Sequence, residues 1–236
     1  MNPGLKMNKY EEGEALLIDK PLEWTSFDVV RKLRSLLRIK KIGHAGTLDP
    51  LATGLLILCT GKWTKRINEY MAQEKEYTGT FTLGAVTASY DLETPPVAVR
   101  DVADLDEAVI RAAVSSFTGD IMQVPPAHSA IKVDGRRVYE LARKGKEVKL
   151  EPRKITIREF EITHIELPVV GFRVVCSTGT YIRSLAHDFG AHLGCGAYLS
   201  SLCRTRIGAF RVGDAWSMQQ AEENIRREMA AIKTGN

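Results

Sequence analysis

Cysteine is scarce in this sequence and never falls in the spacing that disulfide or metal chemistry favours. The four cysteines among 236 residues, Cys59, Cys176, Cys195 and Cys203, form no CxxC pair. Their neighbours are apolar or glycine-rich, so they read as reduced thiols of a cytoplasmic protein. A metal-ligand pattern is missing as well. His187, His192, Cys195 and Cys203 have four, two and seven residues between them, which fits no common zinc spacing. On a helix His187 and His192 would point about 140° apart. Surface histidines and core cysteines, with no metal, are the expectation. Long apolar runs are absent too: Leu55–Cys59 falls far short of the roughly 20 residues that a membrane helix needs. The polar stretch from Met1 to Glu14 holds no hydrophobic segment of a secretory signal. Nor is there an excess of one charge. Lys plus Arg is 33 against 29 for Asp plus Glu, a formal +4 that names no partner by itself. No internal repeat and no low-complexity segment occurs.

What remains is ordinary globular composition, with 44% hydrophobic and 26% charged residues. A compact chain of this length buries roughly 70–75% of its unfolded surface, so it needs no covalent staples. Residues 1–13 read as a loose leader and 14–236 as a single catalytic domain. Ala15 to Ile18 reads as a strand. Thr25 and Ser26 open a helix with Asp28 as the acidic partner of a capping box. Its inward stripe is Val29, Val30, Leu33, Leu36 and Leu37. Its other side carries Arg31, Lys32, Arg34 and Arg38, and the run continues into Lys40 and Lys41 with no acid between. Residues 43–54, GHAGTLDPLATG, read as a loop because three glycines and a proline permit angles that regular elements exclude. Leu55 to Cys59 reads as a buried strand, and Tyr77 to Leu83, by its alternation, as a half-buried one. Asp104 and Glu107 are the expected capping box of a helix through Phe117, closed by Gly119. A segment near 123–152 is expected to project from the domain. From Lys132 to Lys154 it and its flank hold nine cations and four acids, with a short helix at Val138, Leu141 and Ala142. Strands follow at 155–167 and 171–176, then a helix from Thr180 to Leu193 stopped by Gly194. Arg206 to Val212 reads as a strand, and Ser217 with Gln220 caps a last helix. The order is that of an α+β protein, a mixed, largely antiparallel sheet flanked by helices.

Three places could carry chemistry. The first is GHAGTLDPLATGLLIL, where His44, Thr47 and Asp49 sit in a glycine-rich loop ahead of a buried strand. A carboxylate beside an apolar strand is partly desolvated, which suits a nucleophile or a proton-transfer group. By spacing alone, an Asp-Pro turn is more often structural. Gly54 to Lys62 is no phosphate loop, because six residues separate its glycines where that motif needs four. Asp91 and Asp188 are possible second carboxylates for a two-acid mechanism. The second place is CSTGTYIRSLAHDFG, residues 176–190, where Tyr181 and Arg183 stand at a helix start. An Arg there can pair with a buried carboxylate or hold a phosphate, although an exposed surface Arg is the commoner case. The third is Tyr77, whose phenol could stack on a base but in a strand is more often core.

Lys20-Pro21 with Thr25-Ser26, GHAGTLDPLATGLL at 43–56, KEY at 75–77, PPAHSAIKVDGRRVYELARKG at 125–145 and STGTYIRSL at 177–185 together resemble the TruB family of tRNA pseudouridine synthases. The blocks come in the family's order and span about residues 14–220. The resemblance implies the pseudouridine synthase fold with an active cleft across its sheet. It implies conversion of uridine-55 in the T arm of tRNA to pseudouridine, with no cofactor and no metal. It places the catalytic aspartate at Asp49, the base-stacking tyrosine at Tyr77 and the arginine that pairs with the aspartate at Arg183. Further pocket residues fall at His44, Tyr181 and Leu202, and basic residues near the cleft at Lys20 and Lys65. The expected partner is the T-arm stem-loop of tRNA, bound by a monomer, with no membrane and no nucleotide cofactor.

Two positions depart from the family pattern. Glu23 stands where a glycine is usual in the KPxGxTS block, and His128 where a tyrosine follows the two prolines. The small C-terminal RNA-binding domain called PUA, which longer members carry, is not expected here. The rival expectation is a non-catalytic RNA-binding protein or tRNA-folding chaperone, which the basic stretches would support equally. The joint presence of Asp49, Tyr77 and Arg183 argues against it.

Overall fold

The computed structural model describes residues 8–127, 132–133, 136–137 and 150–234. In chain order the elements begin with α1 (Lys9–Glu12), β1 (Ala15–Lys20), α2 (Ser26–Leu37), β2 (Ile42–His44), β3 (Ala52–Thr60) and α3 (Ile67–Met71). Then come β4 (Lys75–Leu83), β5 (Ala85–Val86), β6 (Val97–Ala98), α4 (Glu107–Ala113), β7 (Gly119–Gln123), β8 (Lys132–Val133) and β9 (Arg136–Arg137). The last are β10 (Arg153–Glu166), β11 (Val169–Cys176), α5 (Ile182–His192), β12 (Ala197–Ile207), β13 (Phe210–Arg211) and α6 (Met218–Thr234). The chain forms two compact units, Met1–Lys75 with Cys203–Asn236, and Glu76–Leu202. The α+β class expected from the sequence holds: β1–β3, β2–β3, β7–β10, β10–β11 and β12–β13 all pair antiparallel.

In the first unit β3 is the centre. β1 runs along it from Ala15 opposite Cys59 to Lys20 opposite Gly54, and β2 pairs Ile42 with Thr60 and His44 with Leu58. One face of β3, Leu56 and Leu58, packs with Leu16 and Ile18 of β1, Val29, Val30, Leu33 and Leu37 of α2, and Ala221 and Ile225 of α6. Its other face, Leu55, Ile57 and Cys59, packs with Ala45, Tyr70 and Ile207. Burial on both faces is why this strand reads as an unbroken apolar run rather than an alternation. The capping box of α2 forms as expected: Thr25 Oγ1 accepts from Asp28 N, and Asp28 Oδ2 from Thr25 N, each at 3.0 Å. Ser217 and Gln220 exchange the same pair of bonds ahead of α6. Within the stretch expected as a leader, Lys9–Glu12 form a helical turn that buries one residue. Tyr10 is fully buried and its hydroxyl donates to the Glu228 carboxylate.

The second unit is held by β10 and β11, with β7 pairing along β10 from Gly119–Ile157 to Gln123–Arg153. Its core is aromatic: Phe81 stacks on Phe172 at 4.2 Å between centroids, and Phe160, Phe189 and Phe117 close around them. Three local expectations change. α4 is capped by Asp106, whose Oδ1 accepts from Ala108 N at 2.7 Å, and not by Asp104. The helix then tightens into a 3-10 turn over Val114–Phe117. The strand expected over Arg206–Val212 is the end of the longer β12, turning at Gly208 into the short β13, because Gly208 takes a left-handed φ of 53°. Of the 123–152 segment, the expected helix at Val138, Leu141 and Ala142, and His128, lie outside the described residues. Among the described residues Cys59, Cys176, Cys195 and Cys203 form no disulfide. Burial pushes Cys59 up to about 11.

Candidate active site

Asp49 sits between β2 and β3 on a short loop whose backbone is held along its length. Ser26, the first residue of α2, clamps Leu48 from both sides: its hydroxyl accepts from Leu48 N at 2.9 Å and donates to Leu48 O at 3.1 Å. Ala52 N donates to Asp49 O at 3.0 Å, and Glu23 N to Pro50 O at 2.8 Å. Two buried cations complete the support. Lys20, with no exposed surface, donates from Nζ to Pro21 O, Trp24 O and Pro50 O at 2.9, 2.6 and 3.4 Å. Arg204 donates from Nε to Leu55 O at 2.8 Å, from Nη2 to Gly46 O at 3.1 Å and from Nη1 to Thr47 O at 3.5 Å. Gly54 allows β12 this close. It holds φ at 100°, and a Cβ there would meet the Arg204 backbone oxygen at 2.4 Å.

The charges in this unit act on one another. Burial draws the Lys20 ammonium down to about 8, and the neighbouring Asp49 carboxylate resists that fall while Arg204 adds to it. Burial first, and then Arg204, hold His44 below the ordinary histidine value, so its imidazole is neutral at pH 7. Lys20 thus meets the Asp49 loop, and His44 ends the strand that enters it. Lys65 is exposed on the 3-10 turn Gly61–Arg66 and, among the described residues, makes no side-chain hydrogen bond or ion pair.

The glycine position of the KPxGxTS turn takes a left-handed backbone, which glycine adopts without strain. Glu23 stands there with φ at 66°, a left-handed backbone that costs an L side chain roughly 1 kcal/mol. The turn is thus kept despite the substitution. Glu23→Gly should raise stability by up to about 0.5 kcal/mol, the relief of strain only slightly exceeding the entropy a glycine gives the unfolded chain. Urea unfolding measures it, and a lower midpoint would show that the Glu23 side chain contributes something the backbone strain conceals.

The other candidates belong to the second unit. Tyr77 is on β4 and is 8% exposed, so its ring is mostly enclosed. Tyr181 precedes α5, fastened by Gln123: Tyr181 N donates to Gln123 Oε1 at 2.8 Å, and Gln123 Nε2 donates back to Tyr181 O at 3.0 Å. Ser184 Oγ adds a bond to Val124 O at 2.7 Å. Arg183, buried on α5, lies with Nε 3.7 Å from Asp91 Oδ2 and donates from Nη1 to Ser89 O at 3.3 Å. Asp91 also accepts from Glu93 N at 2.9 Å through Oδ1, which fixes its carboxylate in a turn. Beside it Tyr90 is held at a φ of 64°, its ring stacked on His187 at 4.0 Å. Asp188, the other weighed carboxylate, is on α5, where burial raises its pKa and His187 opposes the rise. Leu202 is half-buried on β12.

Sequence reading missed Arg204, Gln123 and the clamp made by Ser26. Ser26 stood inside a quoted motif, so a signal existed. Arg204 had almost none, because its partners Gly46, Thr47 and Leu55 are distant in sequence. Among the described residues no three His, Cys, Asp or Glu side chains gather as a metal site. No helix among them is long and apolar enough to cross a membrane.

Comparison with known proteins gives the loop its context. A family model described as TruB family pseudouridylate synthase (N terminal domain) matches residues 34–182. A second, tRNA pseudouridylate synthase B C-terminal domain, matches residues 183–231. The chain is 54% identical to a tRNA pseudouridine synthase B of Flavobacterium johnsoniae over 92% of this chain and 98% of that one. It is 50% identical to that of Chlorobaculum tepidum, covering 94% and 95%. Among solved structures it is similar to a chain of a Cbf5-Nop10-Gar1 complex, with a TM-score of 0.72 and 29% identity over 93% of this chain and 59% of that one. A chain from an H/ACA RNP bound to a substrate RNA containing 2'-deoxyuridine matches with a TM-score of 0.69 and 27% identity, over 96% of this chain and 56% of that one. The chain thus spans less than two thirds of those solved chains. With family models over most of its length and relatives half identical to it throughout, the chain belongs to the TruB family of pseudouridine synthases, isomerases that act on tRNA.

Proposed function

We propose that the chain isomerises uridine-55 in the T arm of tRNA, with Asp49 as the catalytic carboxylate. The observation that carries this is the Asp49 loop, a carboxylate on an immobilised backbone beside a buried ammonium. Isomerisation breaks the bond from ribose C1′ to base N1 and forms one from C1′ to C5. The C5 proton leaves and N1 takes one up, so no atom is gained overall. Both base atoms are hidden in a stacked loop, so the base has to flip out. That costs a few kcal/mol, which an aromatic face such as Tyr77 offsets in part. Asp49 acts ionised, and the proposed pairing with Arg183 keeps it so, because an opposite charge within a few ångströms favours the carboxylate. His44, Tyr181 and Leu202 line the pocket in this reading, and Lys20 and Lys65 supply positive charge near it.

The basic run after Arg31 would hold phosphates flanking the target, together with the stretch over 132–154, most of which lies outside the described residues. Of the run, Arg31 is 2.8 Å from Asp28 and Lys32 is 3.0 Å from Glu222, whereas Arg38, Lys40 and Lys41 are exposed and have no acidic partner among the described residues. A monomer working in the cytoplasm, with neither cofactor nor metal, completes the reading.

Tritium release tests it. With tRNA labelled at uridine C5, the purified chain should free close to one equivalent per tRNA, and none when uridine-55 is replaced by cytidine. Tight binding without release would favour a non-catalytic RNA-binding protein instead.

A further inference from the structure

We propose that Arg204 is a positioning residue of this reaction, its guanidinium fixing the backbone on which Asp49 stands. The inference rests on the reading of Asp49 as catalytic. Arginine is almost never fully buried unless it is paired, yet Arg204 is 1% exposed and no carboxylate touches it among the described residues. An enclosed charge left with carbonyls alone is a costly way to fill a core, and an apolar side chain of similar volume would fill it more cheaply. The expense is matched by geometry that only a planar fork provides. One edge reaches Gly46 and Thr47, just before Asp49, while Nε reaches Leu55 after it. A single side chain therefore ties the two arms of the loop together.

The rest of the loop is bound in complementary fashion. Ser26 takes the Leu48 carbonyl, Ala52 that of Asp49, and Glu23 with Lys20 that of Pro50. Every carbonyl from Gly46 to Pro50 thus accepts a hydrogen bond, and Arg204 supplies the first two. Its charge also reaches this place, since it depresses both Lys20 and His44. A fixed positive potential there favours an ionised carboxylate without any reorganisation during the reaction.

Arg204→Gln and Arg204→Lys test this by single-turnover rate against pH, T-arm RNA affinity and melting temperature. In the folded glutamine variant the rate should fall about 100-fold, as a small misplacement of a catalytic group can cause, with RNA affinity within about threefold of wild type. Its acidic limb should move to higher pH. Arg204→Lys keeps the charge and loses the fork, so its acidic limb should stay while its rate falls by about tenfold. A folded Arg204→Gln with wild-type rate and pH profile would overturn the proposal. So would rate losses that merely follow the unfolded fraction, or failure of both variants to fold, since either makes Arg204 a core residue only. Asp49→Asn run alongside separates the two readings. If it is active, the catalytic reading of the loop fails; if it is inactive while Arg204→Gln is unimpaired, only the role of Arg204 fails.

Discussion

Asp49→Asn should lower the single-turnover rate of pseudouridine formation by at least about 10³-fold while leaving RNA affinity within about threefold of wild type. The amide keeps the shape of the side chain, so the loop and its bonds to Ser26, Lys20 and Arg204 have no reason to move. It cannot serve as a nucleophile or a base. The same change removes the carboxylate that holds the Lys20 ammonium up against its burial, so Lys20 should titrate still further below about 8. An NMR titration of the Lys20 side chain reads that shift separately from activity. A rate within about tenfold of wild type would remove Asp49 from its role, whatever Lys20 does.

The second large effect concerns Arg183, which the structure places against Asp91. Both are almost completely buried, with Nε 3.7 Å from Oδ2. Arg183→Met leaves the Asp91 charge enclosed without its cation, a loss worth about 3 kcal/mol of stability. Asp91→Asn in the same chain removes the orphaned charge and should restore a good part of that stability. Activity should not return with it. If Arg183 also keeps Asp49 ionised, the double variant remains slow at neutral pH, with its acidic limb moved upward and a partial recovery at higher pH. Chemical denaturation and a pH–rate profile on the single and the double variant settle both points. A double variant that regains rate together with stability would confine Arg183 to holding Asp91. One with a normal acidic limb and weakened RNA binding would make Arg183 a phosphate contact.

The parts of this structure that were legible in the sequence are those governed by neighbours in the chain. The capping boxes of Thr25 with Asp28 and of Ser217 with Gln220 depend on residues three apart, and both form. The Leu55–Cys59 strand was legible because burial on both faces leaves an unbroken apolar run. The cap at Asp106 was misplaced at Asp104 because several acids compete there, and spacing alone does not rank them. Arg204 was not legible for a different reason. A cation in a strand reads as solvent-facing until the chain returns to it, here from about 150 residues away. Tyr10 was similar: its burial depends on Glu228 and α6, at the far end of the sequence. By spacing alone Asp49 had a structural reading commoner than its functional one. What lifted it was its company in several separate blocks, each resembling the same family.

The measurement that tests the central claim most directly is the mapping of pseudouridine, by base-specific labelling and primer extension, in a tRNA transcript incubated with the purified chain. The account predicts modification at uridine-55 alone with the wild-type chain, and none with Asp49→Asn at equal RNA occupancy. Modification at another position, no modification by a chain that binds the T arm, or an undiminished product with Asp49→Asn would each contradict it.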